Sequence, residues 1–89
     1  MPWQVVLTKK AAKQAEKIPQ REKHVLRTLI GDLALCGPVV PHWKNYSPLG
    51  KETFHCHLGY KWVACWRVED RKIQVIKIYY VGSRENAPY

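Results

Sequence analysis

An α+β fold is predicted, with an N-terminal strand and an αα-hairpin packed on one face of a twisted, mainly antiparallel sheet, in the order β-α-α-β-β-β-β. Three observations carry this prediction. Apolar residues recur at helical spacing between residues 9 and 36. From Phe54 onward the period changes to two. Gly37-Pro38 separates the two regimes as a helix stop. The 89 residues make one domain, residues 1–89. Its core is modest, because a chain of this size buries only about 60–65% of the surface its unfolded form exposes.

The elements follow in order. Trp3 to Leu7 reads Trp-Gln-Val-Val-Leu, a short β-prone run and so a strand. Thr8 offers an N-cap hydroxyl to a helix over Lys9–Lys17 built from strong helix formers. Its face Ala11, Ala15 and Ile18 turns inward, and Lys9, Lys10, Lys13 and Lys17 occupy the other. Pro19 ends this helix and suits the first turn of the next. Glu22, Val25 or Leu26, Leu29, Leu33 and Cys36 carry the second helix to about Cys36, where Gly37 takes a left-handed cap and Pro38 forbids continuation. Val39 to Ser47 reads as a connecting loop. Phe54–Leu58 alternates, with Phe54, Cys56 and Leu58 on one face and His55 and His57 on the other. Gly59-Tyr60 turns the chain into a strand over Lys61–Val68, and Glu69–Lys72 makes a polar hairpin turn. Ile73–Val81 is apolar on both faces apart from Gln74 and Lys77, which predicts a strand central in the sheet. Gly82-Ser83 ends it, and a short polar tail runs to Tyr89.

Composition narrows the function. With 46% apolar and 25% charged residues the chain is ordinary globular material. No run of about 18 apolar residues could span a membrane. Met1-Pro2-Trp3-Gln4 does not read as a signal peptide, so a cytoplasmic protein is expected. Fifteen Lys and Arg against seven Asp and Glu give a net charge of +8 and a pI near 9.6. Such a field attracts nucleic acid, an anionic membrane or an acidic protein. Cys36, Cys56 and Cys65 are odd in number and lack a C-x-x-C, which predicts reduced buried thiols rather than a disulfide scaffold.

The chemistry concentrates near the second half of the chain. His55 and His57 lie two apart on a strand, with Cβ atoms roughly 6.5–7 Å apart on one face. The Gly59-Tyr60 turn brings Lys61 back toward His57, and Arg84 follows the last strand. Imidazoles exchange protons near neutrality, and a guanidinium fork matches phosphate oxygens. The competing reading is two solvated surface histidines in a basic strand. His-Cys-His is not a zinc site by spacing, because alternation throws Cys56 to the other face and zinc takes three or four protein ligands. No metal or cofactor is expected, and the scattered carboxylates do not suit a two-metal hydrolase. Trp43 and Tyr46 in the loop and Tyr89 in the tail are candidates for stacking on bases, whereas Trp62 and Trp66 suit the core. Lys51 and Arg67 are candidate RNA contacts. Lys9, Lys10 and Lys13 read either as a solvated helix face or as a phosphate track whose binding would fall with salt.

Four segments, in this order and at this length, resemble the RelE/ParE superfamily of toxins from bacterial type II toxin–antitoxin systems. They are Thr8-Lys9-Lys10-Ala11-Ala12-Lys13 after the opening strand; the helix ending in Gly37-Pro38; Leu49-Gly50-Lys51 leading to Phe54-His55-Cys56-His57-Leu58-Gly59-Tyr60-Lys61; and Tyr80-Val81-Gly82-Ser83-Arg84-Glu85 before Tyr89. The resemblance implies an open concave sheet face. In the RelE-like branch that face cleaves mRNA, usually on the ribosome, without a metal. Carried over by position, His55 and His57 stand where that branch commonly has lysines and Lys61 where it often has Arg. Arg84 matches the post-strand Arg, and Tyr89 the tail Tyr. The resemblance also implies a cognate acidic antitoxin, through which the complex would bind operator DNA. The ParE-like branch shares the fold but inhibits DNA gyrase without catalysis, and an inactive member serving as an interaction module is a third possibility.

Overall fold

The computed structural model describes residues 2–89. Thr8 starts α1 (Lys9–Lys17) as its side chain predicts, its Oγ1 accepting the Ala11 N–H at 3.0 Å. After Pro19, α2 runs over Gln20–Cys36 and stops at Gly37, whose N–H donates to the Leu33 carbonyl at 2.9 Å. Gly37 has φ 89° and ψ −170°, a region only glycine occupies readily, rather than the expected left-handed helical cap. Strand β1 (Gln4–Leu7) precedes the helices. Strands β2 (Ser47–Gly50), β3 (Thr53–His57), β4 (Trp62–Asp70) and β5 (Val75–Ser83) follow, and a 3-10 turn over Arg84–Asn86 leads into the tail.

The five strands lie in the order β1-β5-β4-β3-β2, with β1 parallel to β5 and the other pairs antiparallel. The sheet is therefore mainly antiparallel; β5 is an inner strand, as its two apolar faces require, but it lies beside the β1 edge and β4 is the central strand. One face packs against the helices: Phe54, Cys56, Trp66, Ile76, Ile78 and Val81 meet Ala11, Ile18, Leu26, Leu29 and Leu33. Trp66 is fully buried there, stacks on Phe54 at 6.2 Å between centroids, and donates its Nε1–H to the Pro38 carbonyl at 3.0 Å. Burying an indole requires that partner.

A bulge sets which side chains reach the other face. Cys65 pairs with Tyr80 and Trp66 with Ile78, so Tyr79 is an extra residue. The alternation resets across it. Ile76, Ile78 and Val81 all face the helices, while Tyr79 and Tyr80 both join Val63 and Cys65 on the open face.

Two sequence expectations change. β5 begins at Val75 instead of Ile73, because Arg71–Gln74 form the turn. There Asp70 Oδ1 accepts the Ile73 N–H at 3.0 Å, Gln74 takes φ 55°, and Ile73 is exposed. The apolar stripe of α2 ends at Leu33, leaving Cys36 exposed rather than buried. Cys56 and Cys65 are buried, on opposite faces of the sheet, and burial pushes both thiols up to about 12. Among the described residues, no helix is long and apolar enough to cross a membrane.

Candidate active site on the open sheet face

β3 is anchored on its helix side by Phe54 and Cys56, so alternation commits His55 and His57 to the open face. Their ring centroids are 6.1 Å apart. His55 is buried at 8% exposure, and its Nδ1–H donates to the Ser47 carbonyl of β2 at 3.3 Å. The loop before β2 supports His57 twice. The Lys44 carbonyl accepts the His57 backbone N–H at 2.9 Å, and Asn45 Nδ2–H donates to His57 Nδ1 at 3.2 Å. Asn45 has φ 54°, a left-handed conformation that Asn tolerates better than most residues.

The end of β5 delivers the rest. The Arg84 N–H donates to the Lys61 carbonyl at 2.8 Å, which ties the last turn to the β3–β4 turn. The Arg84 guanidinium sits 5.5 Å above the ring of exposed Tyr60. Tyr80 Oη donates to the Ser83 carbonyl at 2.7 Å. A Cβ on Gly82 would lie 2.8 Å from that hydroxyl, so any side chain there would displace the tyrosine. Beyond the turn, Ala87 packs on the open-face cluster, and the Tyr89 ring comes within 4.4 Å of the His55 ring.

The electrostatics are those of a cationic site on a hydrophobic floor. His57 is held below the ordinary imidazole range, first by burial and then by Coulombic repulsion from its neighbours His55, Arg84 and Lys44. Burial and the neighbouring Cys65 raise the Tyr89 hydroxyl, with Arg84 opposing in part. Tyr79 rises for the same two reasons, offset by Arg67. Both phenols therefore stay protonated at neutral pH.

His55, His57, Arg84 and Tyr89 come together as a group. Lys61 does not join them: its amine lies 5.5 Å above the ring of Trp62, a residue packed on the helix side. The lysine that acts on His57 is Lys44. Arg67 shares the open face but lies along β4 opposite Thr53, over the Tyr79 ring at 5.3 Å and paired with Glu69 at 3.1 Å. Lys51 is exposed in the β2–β3 turn.

Two stacking candidates are corrected. Trp43 packs against the core and donates its Nε1–H to Asp32 at 2.7 Å, and Tyr46 stacks on Phe54 at 6.0 Å. Their rings pack, partly buried, on the helix-side core and lie apart from the imidazoles of the open face. Lys9, Lys10 and Lys13 are exposed on α1, across the sheet from the imidazoles, and so are not part of this face. Lys10 instead lines an open groove of about 410 Å³ with Lys17, Trp62 and Gly82.

The sequence reading missed Lys44, Asn45 and Tyr60. An Asn in a Pro-bounded loop is a signal for a left-handed turn, and it could have drawn attention to Asn45. Among the described residues, no group of three His, Cys, Asp or Glu is placed to hold a metal ion.

No protein-family model and no curated protein sequence matches this chain. Solved structures do. The chain is similar to the toxin–antitoxin complex DinJ–YafQ of E. coli, with a TM-score of 0.77 and 14% identity over 100% of both chains. It is similar to the archaeal RelE–RelB complex of Pyrococcus horikoshii OT3, with a TM-score of 0.75 and 18% identity over 98% of this chain and 100% of that one. It is also similar to the toxin–antitoxin complex RelBE2 of Mycobacterium tuberculosis, with a TM-score of 0.70 and 24% identity over 94% of this chain and 100% of that one. At these identities the likeness carries the architecture, and the fold of this chain is that of the RelE-like toxins.

Proposed function

We propose that the protein is the toxin of a toxin–antitoxin pair and acts as an endoribonuclease on mRNA, associated with the ribosome and arresting translation. The observation that supports this reading is the meeting of His55, His57, Arg84 and Tyr89 on one open, cationic face. RNA supplies its own nucleophile. A base takes the proton of a 2′-hydroxyl, the 2′ oxygen attacks the adjacent phosphorus, and the 5′ oxygen leaves and is protonated. The products are a 2′,3′-cyclic phosphate and a 5′-hydroxyl. Imidazoles supply the acid–base chemistry, Arg84 balances the charge that grows on the phosphoryl oxygens, and Tyr89 orients or stacks on the substrate. The chemistry needs no metal, since the chain's own groups move the proton and balance the charge. DNA lacks the 2′-hydroxyl and is left intact.

The net charge of +8 suits both RNA and an acidic, partly disordered antitoxin that orders on binding. Operator DNA would then be reached through the antitoxin. The test is primer extension on total mRNA after brief induced expression of the wild type and Arg84→Ala. New discrete 5′ ends that disappear in the variant are expected. Growth arrest with intact mRNA would refute cleavage and point to gyrase, and normal growth would leave an interaction module.

A further inference from the structure

We propose that two hydrogen bonds fix opposite tautomers on the paired histidines, so that His55 is the proton acceptor and His57 a neutral hydrogen-bond donor, with Asn45 as the positioning residue for His57. The chemical roles rest on the ribonuclease reading. The tautomers rest on the hydrogen bonds alone.

The partner of His55 Nδ1 is a backbone carbonyl, the Ser47 oxygen at 3.3 Å. A carbonyl only accepts, so Nδ1 carries the hydrogen, and in the neutral ring the lone pair is left on Nε2. The partner of His57 Nδ1 is the amide nitrogen of Asn45, at 3.2 Å. An amide nitrogen only donates, so Nδ1 holds the lone pair and the hydrogen sits on Nε2. The two rings are 6.1 Å apart and present opposite capacities at Nε2. Protonating His57 at Nδ1 would set two N–H groups against each other, so Asn45 also opposes the imidazolium. The groups around this ring act the same way: Lys44 from the preceding loop and Arg84 from the end of β5 disfavour a further positive charge, as does His55 on its own strand once it has taken a proton. Tyr89 lies on the His55 side of the pair.

The roles then divide. The 2′-hydroxyl proton passes to Nε2 of His55. The 2′-O–P bond forms as the P–O5′ bond breaks. His57 Nε2–H donates to a phosphoryl oxygen throughout, a use of neutral imidazole as an electrophile. The 5′ oxygen takes a proton from solvent water, and His55 returns its proton to solvent. The rate should rise with pH through a single ionisation and then level off, because no imidazolium acid is consumed.

The direct test is long-range 1H–15N correlation NMR of the labelled chain above the imidazole titration range. A protonated Nδ1 on His55 and a protonated Nε2 on His57 are expected. Asn45→Asp keeps a residue that tolerates the left-handed backbone but replaces the donor with an acceptor, and should invert the His57 tautomer and raise its pKa. Asn45→Gly keeps the backbone freedom, removes the side chain, and should give His57 a mixture of tautomers. In single-turnover cleavage, Asn45→Asp should lower the rate about tenfold or more, toward the cost of losing one transition-state donor. Like tautomers on the two wild-type rings, or a His57 tautomer unmoved by Asn45→Asp, would overturn the assignment. A bell-shaped wild-type profile centred near neutrality would overturn the division of roles. Opposite tautomers in a chain that cuts no RNA would uphold the assignment and bring down the ribonuclease reading instead.

Discussion

The same substitution at two glycines of α2 should move stability in opposite directions. Gly31 lies inside the helix, and a Cβ there meets nothing within 4 Å. Gly31→Ala removes backbone freedom from the unfolded chain without cost in the folded one, which stabilises by about 0.5–1 kcal/mol. Gly37 closes the helix at φ 89° and ψ −170°, where a side chain costs about 1–3 kcal/mol. A Cβ there would also stand 3.0 Å from Nε1 of Trp3, whose backbone N–H is held by the Ala34 carbonyl at 2.7 Å. That bond holds the Trp3 backbone beside the end of the helix, so the indole would have to turn about its own side-chain bonds to make room. The two variants should differ by about 2 kcal/mol or more, with Gly31→Ala above the wild type and Gly37→Ala below. For a domain of this size that gap is roughly 8–16 °C in Tm. Thermal melts followed by far-ultraviolet circular dichroism measure it. A Gly37→Ala variant as stable as wild type, or a destabilised Gly31→Ala, would refute the reasoning on backbone conformation.

Other expectations concern the site and the thiols. Arg84→Gln removes a positive charge that holds His57 low, so the His57 titration should move upward by a fraction of a pH unit, read by NMR. Because the folded value lies below the unfolded one near 6.5, this histidine adds stability that is complete above about pH 6.5 and is lost as pH falls through the folded value. His57→Gln should flatten that part of the stability–pH curve in denaturant titrations. Tyr80→Phe deletes the hydroxyl that braces Ser83, and urea unfolding should show a loss of about 0.5–1.5 kcal/mol. Iodoacetamide should label Cys36 in the native protein and reach Cys56 and Cys65 only in denaturant. Mass spectrometry of labelled peptides would show otherwise if either buried thiol reacted first.

The helices and the β3 alternation were legible because each has a local cause. Thr8 caps, Pro19 and Gly37 punctuate, and the period of two at Phe54–Leu58 assigns each side chain a face. The bulge at Tyr79 was not legible, since its cause is the need to bury both Ile78 and Val81 against the helices, a tertiary demand on an otherwise uniform apolar run. The loop over residues 39–46 was misjudged for a similar reason. Trp43 and Tyr46 are aromatic residues in a segment without regular structure, and sequence alone does not tell an exposed ring from one covering the edge of a core. Within the site, His55, His57, Arg84 and Tyr89 followed from strand parity and from the resemblance. Lys44 and Asn45 depended on how a loop folds back beside β3, and Lys61 was lost to the ring of Trp62.

The pairing of β1 with β5 has a consequence for the order of assembly. Residues 4–7 find their partners only at residues 75–78, so the first strand stays unmatched while the segments between are made. Closing so long a loop is entropically costly and is repaid only when both strands are present, which makes it a slow, late event. During synthesis at about 5–20 residues per second the helical hairpin can form early, but the sheet cannot close until β5 has emerged. Arg84 and Tyr89 come later still. The cationic face thus stays disassembled until residues 75–89 have been made, and the site comes into being together with the finished sheet.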